Sequence, residues 1–128
     1  MSAVIVVDDS PSSRSLLVDL CLAAGADSVE ACASGFEAIR ALPRLADVAL
    51  VITDVNMPDI TGLELVRMLR EQPRFRTTPI FVVSTDAQSA DAERALTQGA
   101  TRFFQKPFDA AALSAAVSAA LPGKAKGG

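Results

Sequence analysis

The chain has 128 residues, 50% of them apolar and 21% charged, which suits one domain with its own core and excludes an intrinsically disordered chain. Twelve basic and fifteen acidic residues give a net charge of −3, which argues against nucleic acid or an anionic membrane as the main partner. There is no histidine, so imidazole can serve neither as base nor as metal ligand, and a bound metal would be held mainly by oxygen.

The two cysteines, Cys21 and Cys32, lie in apolar surroundings, and their spacing matches no zinc pattern. We interpret them as buried thiols of a protein in a reducing compartment. The N-terminus lacks the basic segment of a signal peptide, and no apolar run approaches the roughly 20 residues of a membrane span. The sequence therefore predicts a cytoplasmic protein that is not inserted in a membrane.

Five strand patterns alternate with five helix patterns along the chain. The strands are expected, in chain order, at Ala3–Val7, Ser28–Cys32, 48–53, Ile80–Ser84 and 101–105. Three helix starts are marked by Ser10-Pro11, Ser34-Gly35 and Asp109, a further helix follows Gly62, and another spans about Ser89–Gln98. In the first helix, Leu16, Leu17 and Leu20 recur at the spacing of a buried face.

This alternation predicts an α/β fold in which a doubly wound, five-stranded parallel sheet, (βα)5, carries helices on both faces. We expect one domain over residues 1–122 and a short flexible tail over 123–128. In such sheets ligands bind outside the carboxyl ends of the strands. The residues that follow each strand are therefore the candidates for chemistry.

Charged and polar residues follow four of the predicted strands. They are Asp8 and Asp9 after the first, Asp54 after the third, Ser84 at the end of the fourth and Lys106 after the fifth. Acids that lie close together repel one another, and a divalent cation with oxygen ligands, of which Mg²⁺ is the expected one, relieves that repulsion. A carboxylate flanked by a metal, a lysine and a hydroxyl suits a bound phosphoryl group.

Each of these residues also has an ordinary structural interpretation. The acids can cap turns or helices, Ser84 can bond its own backbone, and Lys106 can be a solvated charge. All of these interpretations would have to hold together, at four separate strand ends, to account for the set. We therefore favour a common site.

The motifs VVDDS at residues 6–10, TDVNMP at 53–58 and FFQKPF at 103–108, together with Gly62, resemble a two-component response-regulator receiver domain. The resemblance covers about residues 3–121, and Arg14 and the Asn-Met-Pro that follows Asp54 are similar to the chemotaxis, CheY-like branch. It implies a flavodoxin/CheY-like fold. It also implies that the chain is a signalling switch activated when a sensor histidine kinase phosphorylates Asp54.

The resemblance further implies individual roles. Mg²⁺ would be held by Asp9, Asp54 and the backbone carbonyl of Asn56, with Asp8 helping through water. Ser84 and Lys106 would contact the phosphoryl oxygens, and the peptide between Lys106 and Pro107 would be cis. The chain would act as a phosphoacceptor that takes part in its own phosphoryl transfer and slow autodephosphorylation, and not as an enzyme.

Two positions depart from the commonest family pattern. Thr85 stands where a small residue is usual, and its branched side chain could narrow access to the phosphoryl group. Phe103 matches the aromatic switch position but lacks the hydroxyl of tyrosine; it could equally be an ordinary core aromatic.

No effector domain follows in this sequence, so we expect output by binding an unidentified downstream protein through the fourth helix, fifth strand and fifth helix. The last helix offers small side chains there: Ala112, Ala115 and Ala119. The alternative interpretation is that these alanines are simply good helix formers. The chain could also be a receiver cut from a larger response regulator or hybrid kinase, with 123–128 as a linker stub.

Three other functions are weaker alternatives. A phosphohydrolase of the haloacid-dehalogenase type needs a general acid two residues after its nucleophile, where this chain has Asn56. A receiver-like scaffold that is never phosphorylated usually lacks an acid or the lysine, and both are present. A nucleic-acid surface could be argued from four arginines, which we interpret as a solvated face because glutamates interleave them: Arg67, Arg70, Arg74 and Arg76.

Overall fold

The structure is a computed structural model that describes residues 3–85 and 89–122, with residues 89–91 described by their backbone alone. The strands are β1 (Ala3–Val7), β2 (Ser28–Cys32), β3 (Val48–Asp54), β4 (Ile80–Ser84) and β5 (Arg102–Gln105). The helices are α1 (Pro11–Ala23), α2 (Gly35–Ala41), α3 (Gly62–Arg70), α4 (Ser89–Gln98) and α5 (Ala110–Ala120). Short 3₁₀ turns follow α2 at Leu42–Arg44 and α3 at Pro73–Phe75.

The strands form one parallel sheet in the order β2-β1-β3-β4-β5. From β1 the chain adds β2 on one side and then β3, β4 and β5 on the other, so the connecting helices lie on both faces of the sheet. The predicted doubly wound sheet is therefore confirmed. Alternating strand residues feed two cores. Ile5, Val7 and Val82 pack with α2, α3 and α4, whereas Val6 and Val83 pack with α1 and α5.

Local capping explains where the helices begin. Ser10 caps α1 by accepting a hydrogen bond from the backbone of Ser13, and Pro11 opens the helix. Thr61 and Glu64 form a reciprocal capping box at α3, and Asp109 caps α5. The Ser10 and Asp109 caps match the sequence signals, whereas the capping box of Thr61 and Glu64 was not predicted.

Several sequence-based expectations differ from the structure. β3 is one residue longer than predicted and includes Asp54, and β5 begins at Arg102 instead of residue 101. Leu16 is 54% exposed, because the buried face of α1 runs through Leu17, Leu20 and Cys21. Whether 1–122 bounds the domain remains a prediction, and the predicted tail at 123–128 lies outside the described residues.

The interpretation of the α3 arginines as a solvated face is wrong for Arg70. Its guanidinium donates to the backbone oxygens of Gly99, Phe75, Arg76 and Thr78 and so ties α3 to the segments before β4 and after α4. Partial burial lowers the pKa of this arginine from its usual value. Alternation with glutamates along the sequence does not reveal this, since all four acceptors lie outside the helix.

Candidate functional site

Three carboxylates meet at the carboxyl edge of the sheet. β1 and β3 are neighbours, with Val7 beside Thr53, so the next residue on each, Asp8 after β1 and Asp54 at the end of β3, lie side by side. One carboxylate oxygen from each of Asp8, Asp9 and Asp54 lies within 4.8 Å of the others. Asp8 and Asp54 are buried and Asp9 is exposed. The predicted convergence of the three acids is therefore present.

Lys106 reaches this cluster from β5, two strands away from β3. Its backbone N–H donates to the carbonyl oxygen of Ser84 at 2.7 Å, and the peptide to Pro107 is cis, as the family resemblance implied. Its Nζ lies 2.8 Å from Oδ2 of Asp8 and 3.8 Å from Oδ2 of Asp54. One ammonium thus forms a hydrogen-bonded ion pair with one acid and a longer ion pair with another.

Asp8 is the most heavily bonded acid of the cluster. Oδ1 accepts from the backbone N–H of Ser10, and Oδ2 accepts from the Ser13 hydroxyl as well as from Lys106. Arg14 donates to the backbone oxygen of Asp8 at 2.8 Å. The contact of Ser13 was not predicted. Its spacing of three residues from the Ser10 cap, in the first turn of α1, is the signal that could have indicated it.

Asp54 is held more loosely. Oδ1 accepts from the backbone N–H of Val55 at 2.8 Å, and Oδ2 faces Lys106. Burial raises the pKa of Asp54 above its ordinary value, and the charges of Asp8 and Asp9 act in the same direction. The Lys106 ammonium and the Val55 N–H oppose this rise.

The oxygen donors of the acid cluster suit a hard divalent cation. Asp9 is exposed and Asp54 has two carboxylate oxygens, so each of these residues can turn one oxygen to a metal ion. Asp8 already accepts hydrogen bonds at both oxygens, which suits a contact through water. Asn56 is exposed in the loop after β3, at the same edge of the sheet. The cluster can therefore hold a metal ion.

Ser84 and Phe103 lie next to this site on neighbouring strands. Ser84 is buried at the end of β4, and Phe103 is half-buried on β5 beside Val82. Because side chains alternate along a strand, Ser84, Val82 and Phe103 project from the same face of the sheet. Phe103 packs against the core on the α3 and α4 side, and Thr85 is exposed. Ser84 and Phe103 therefore lie on the sheet face against which α3 and α4 pack.

A sequence profile of the response regulator receiver domain matches residues 4–118, which is most of the chain. The chain belongs to the receiver family. It is 36% identical over 104 residues to a chemotaxis protein CheY homolog of Campylobacter jejuni, covering 81% of this chain and 80% of the relative. It is 32% identical over 118 residues to the two-component response regulator ORR5 of rice, covering 92% and 87%.

Solved receivers share the whole fold. The chemotaxis protein CheY4 of Vibrio cholerae superposes with a TM-score of 0.84 at 33% identity, over 94% of this chain and 99% of that one. The receiver domain of a signal transduction histidine kinase from Syntrophus aciditrophicus gives 0.84 at 32% identity, over 96% and 92%. The expected flavodoxin/CheY-like fold and the CheY-like character of this receiver are thus confirmed.

Of the described helices, none is both long and apolar enough to cross a membrane.

Proposed function

We propose that this receiver is switched by phosphorylation of Asp54, with a sensor histidine kinase as the phosphoryl donor. The observation that carries the proposal is the position of Asp54: a buried carboxylate whose Oδ2 lies 3.8 Å from the Lys106 ammonium, among two further acids. A phosphoryl group on that oxygen would lie close to a positive charge that is already in the site. Such preorganised charge is the main contribution that proteins make to phosphoryl transfer.

The proposed transfer forms one bond and breaks one. Oδ1 of Asp54 is held by the Val55 N–H, so Oδ2 attacks the phosphorus atom. The bond between phosphorus and the donor histidine nitrogen breaks, its electron pair stays on that nitrogen, and the product is an aspartyl phosphate. Lys106 and the hydroxyl of Ser84 then stabilise the phosphoryl oxygens by charge and hydrogen bonding. The branched side chain of Thr85, which follows Ser84, narrows access to the phosphoryl group.

We assign Mg²⁺ to the acid cluster, held by Asp9, Asp54 and the backbone carbonyl of Asn56, with Asp8 acting through water. When bound, Mg²⁺ supplies positive charge that offsets the repulsion between the acids and the incoming phosphoryl group. The protein supplies the rest: the strands hold Asp54 in place, and the Lys106 ammonium offsets the negative charge of the Asp54 carboxylate.

The chain acts, in this proposal, as a stoichiometric phosphoacceptor in the cytoplasm and not as an enzyme. Asn56 supports the role of phosphoacceptor over that of enzyme, because it occupies the position where a phosphohydrolase of the same chemistry would need a general acid.

With acetyl phosphate and Mg²⁺, each molecule should take up one phosphoryl group, measured by intact mass. Continuous release of phosphate from p-nitrophenyl phosphate at the rate of a phosphatase would contradict the assignment.

We further propose that phosphorylation changes a protein-binding surface formed by α4, β5 and α5. Ser84 and Phe103 support this, since they project from the sheet face that packs against α3 and α4, and Ser84 ends β4, the strand next to β3. Phe103 has no hydroxyl to leave unbonded when its ring turns inward, so the inward rotamer should cost less free energy than it would for tyrosine, and phosphorylation can shift the population of that rotamer. The similarity to CheY proteins favours a chemotaxis-type pathway.

A further inference from the structure

Ser13 makes the shortest described hydrogen bond to the acid cluster. Its hydroxyl lies 2.6 Å from Oδ2 of Asp8, the same oxygen that accepts from Lys106 at 2.8 Å. The Asp8 carboxylate is fully buried. Two donors from different elements, α1 and the segment after β5, therefore share one buried oxygen.

This sharing matters when Lys106 changes partner. If Asp54 carries a phosphoryl group, Lys106 is drawn from Asp8 towards the new negative charge. Leaving a buried carboxylate oxygen without its donor is costly, because part of the charge is then desolvated and unpaired. With Ser13 present, Oδ2 of Asp8 keeps a hydrogen bond after Lys106 has moved. The free energy needed to release Lys106 is correspondingly smaller.

We propose that Ser13 is a positioning residue for phosphorylation: its hydroxyl satisfies Asp8, so that Lys106 is free to leave Asp8 for the phosphoryl group on Asp54. The inference deepens the proposed function and rests on it. Ser13 touches no reacting atom and acts only through Asp8 and Lys106.

Other contacts already fix the backbone at this point, which separates the positioning role from a merely structural one. Arg14 donates to the Asp8 carbonyl oxygen, and the Ser10 N–H donates to Oδ1 of Asp8. Without the Ser13 hydroxyl, the carboxylate still has Ser10 and Lys106. Loss of the hydroxyl should therefore leave the fold intact and tighten the hold of Asp8 on Lys106.

The test compares the wild-type chain with Ser13→Ala, with Ser13→Thr, which keeps the hydroxyl, and with Ser15→Ala, an exposed serine of the same helix as control. The probe is beryllofluoride, an unreactive phosphoryl mimic, titrated with Mg²⁺ and followed by amide NMR shifts. A second titration uses Mg²⁺ alone. In that state Lys106 has no phosphoryl group to move to, so a positioning role leaves Mg²⁺ affinity unchanged.

We expect beryllofluoride affinity to fall about tenfold in Ser13→Ala, as for loss of one hydrogen bond to a charged group, and to be retained in Ser13→Thr and Ser15→Ala. Wild-type beryllofluoride affinity in Ser13→Ala would overturn the inference alone. An equal loss of affinity for Mg²⁺ and for beryllofluoride would also overturn it, since that indicates general damage to the site. A wild-type chain that binds no beryllofluoride would overturn the proposed function itself.

Discussion

Gly62 approaches Asp54 so closely that a Cβ atom on Gly62 would lie 2.0 Å from the Asp54 carbonyl oxygen. The Gly62 N–H also donates to the carbonyl oxygen of Val55 at 2.8 Å, so the first turn of α3 is fixed against the end of β3. The obstructing atoms belong to the backbone and cannot rotate away. Asp54 is thus positioned by a glycine eight residues later.

Gly62→Ala should therefore destabilise the protein by about 2–3 kcal/mol and displace Asp54, because the added methyl group forces two backbones apart. Gly35→Ala is the matched control. The nearest atoms there belong to the Ile60 side chain, which can shift, so the loss of stability should be smaller. Chemical denaturation of both variants measures the difference, and equal losses would contradict the account.

Much of the fold and of the acid edge could be predicted, because both depend on local signals. Apolar runs, the Ser10 and Asp109 caps and acids that directly follow strands are visible within a few residues. The role of Asp59 could not be predicted. It accepts from the backbone N–H groups of Gly35 and Phe36, some two dozen residues away, at the start of α2.

Arg70 and Ser13 were missed for a similar reason. The partner of Arg70 at Gly99 is 29 residues away, and the meeting of Ser13 with Lys106 at Asp8 depends on the closed sheet. Sequence spacing carries no information about which backbone oxygens a long side chain will reach once the helices have packed. The Arg70 contacts and the approach of Lys106 to Asp8 follow from tertiary structure alone, whereas the bond from Ser13 to Asp8 is local to the start of α1.

Asp54→Asn should stabilise the protein at neutral pH. Burial raises the pKa of Asp54, so the folded state binds its proton more tightly than the unfolded chain, whose ordinary value is 3.8. The wild type therefore loses stability as the pH rises through 3.8 and then through the folded-state pKa. Asparagine is always neutral, so the gain over wild type should be near zero at the acid end and grow with pH.

Thermal unfolding across this pH range measures the gain, and Mg²⁺ should shrink it, because the ion stabilises only the chain that binds it. Asp19→Asn, on an exposed position of α1, controls for the removal of one negative charge. A gain for Asp54→Asn that is largest at acid pH would contradict the assigned direction.

Substitutions of Asp9 and Asp8 should separate the loss of metal binding from the loss of stability. Asp9 is exposed, so Asp9→Ala should weaken Mg²⁺ binding about tenfold or more with little change in stability. Asp8→Ala removes the buried partner of Lys106 and Ser13, and should cost about 2 kcal/mol or more. Calorimetric titration and denaturation test the pair. An unchanged Mg²⁺ titration in Asp9→Ala would refute its role as a direct ligand.

The Ser84→Ala variant should still accept a phosphoryl group at Asp54, but the signal should reach Phe103 poorly. The reason is that the hydroxyl that hydrogen-bonds the phosphoryl oxygen is lost. The readout is the aromatic NMR signal of Phe103 with and without beryllofluoride. In the wild type the Phe103 environment should change, and in Ser84→Ala the change should be much smaller. If partner binding responds while Phe103 does not, the output runs through another residue.

Arg70→Met should destabilise the protein by about 2 kcal/mol or more, because the backbone oxygens of Gly99, Phe75 and Thr78 lose a charged donor. Phosphoryl uptake should remain. Arg67→Met, on the exposed side of the same helix, should change stability by less than about 0.5 kcal/mol. Equal effects of the two substitutions would mean that the Arg70 contacts contribute nothing.

The location of the phosphoryl group tests the central claim most directly. After incubation with acetyl phosphate and Mg²⁺, borohydride reduces an aspartyl phosphate to homoserine, and peptide mass mapping shows which residue was converted. The account predicts homoserine at position 54 and nowhere else, and none in unphosphorylated protein. Conversion at Asp8 or Asp9, or uptake by Asp54→Asn equal to that of the wild type, would contradict it.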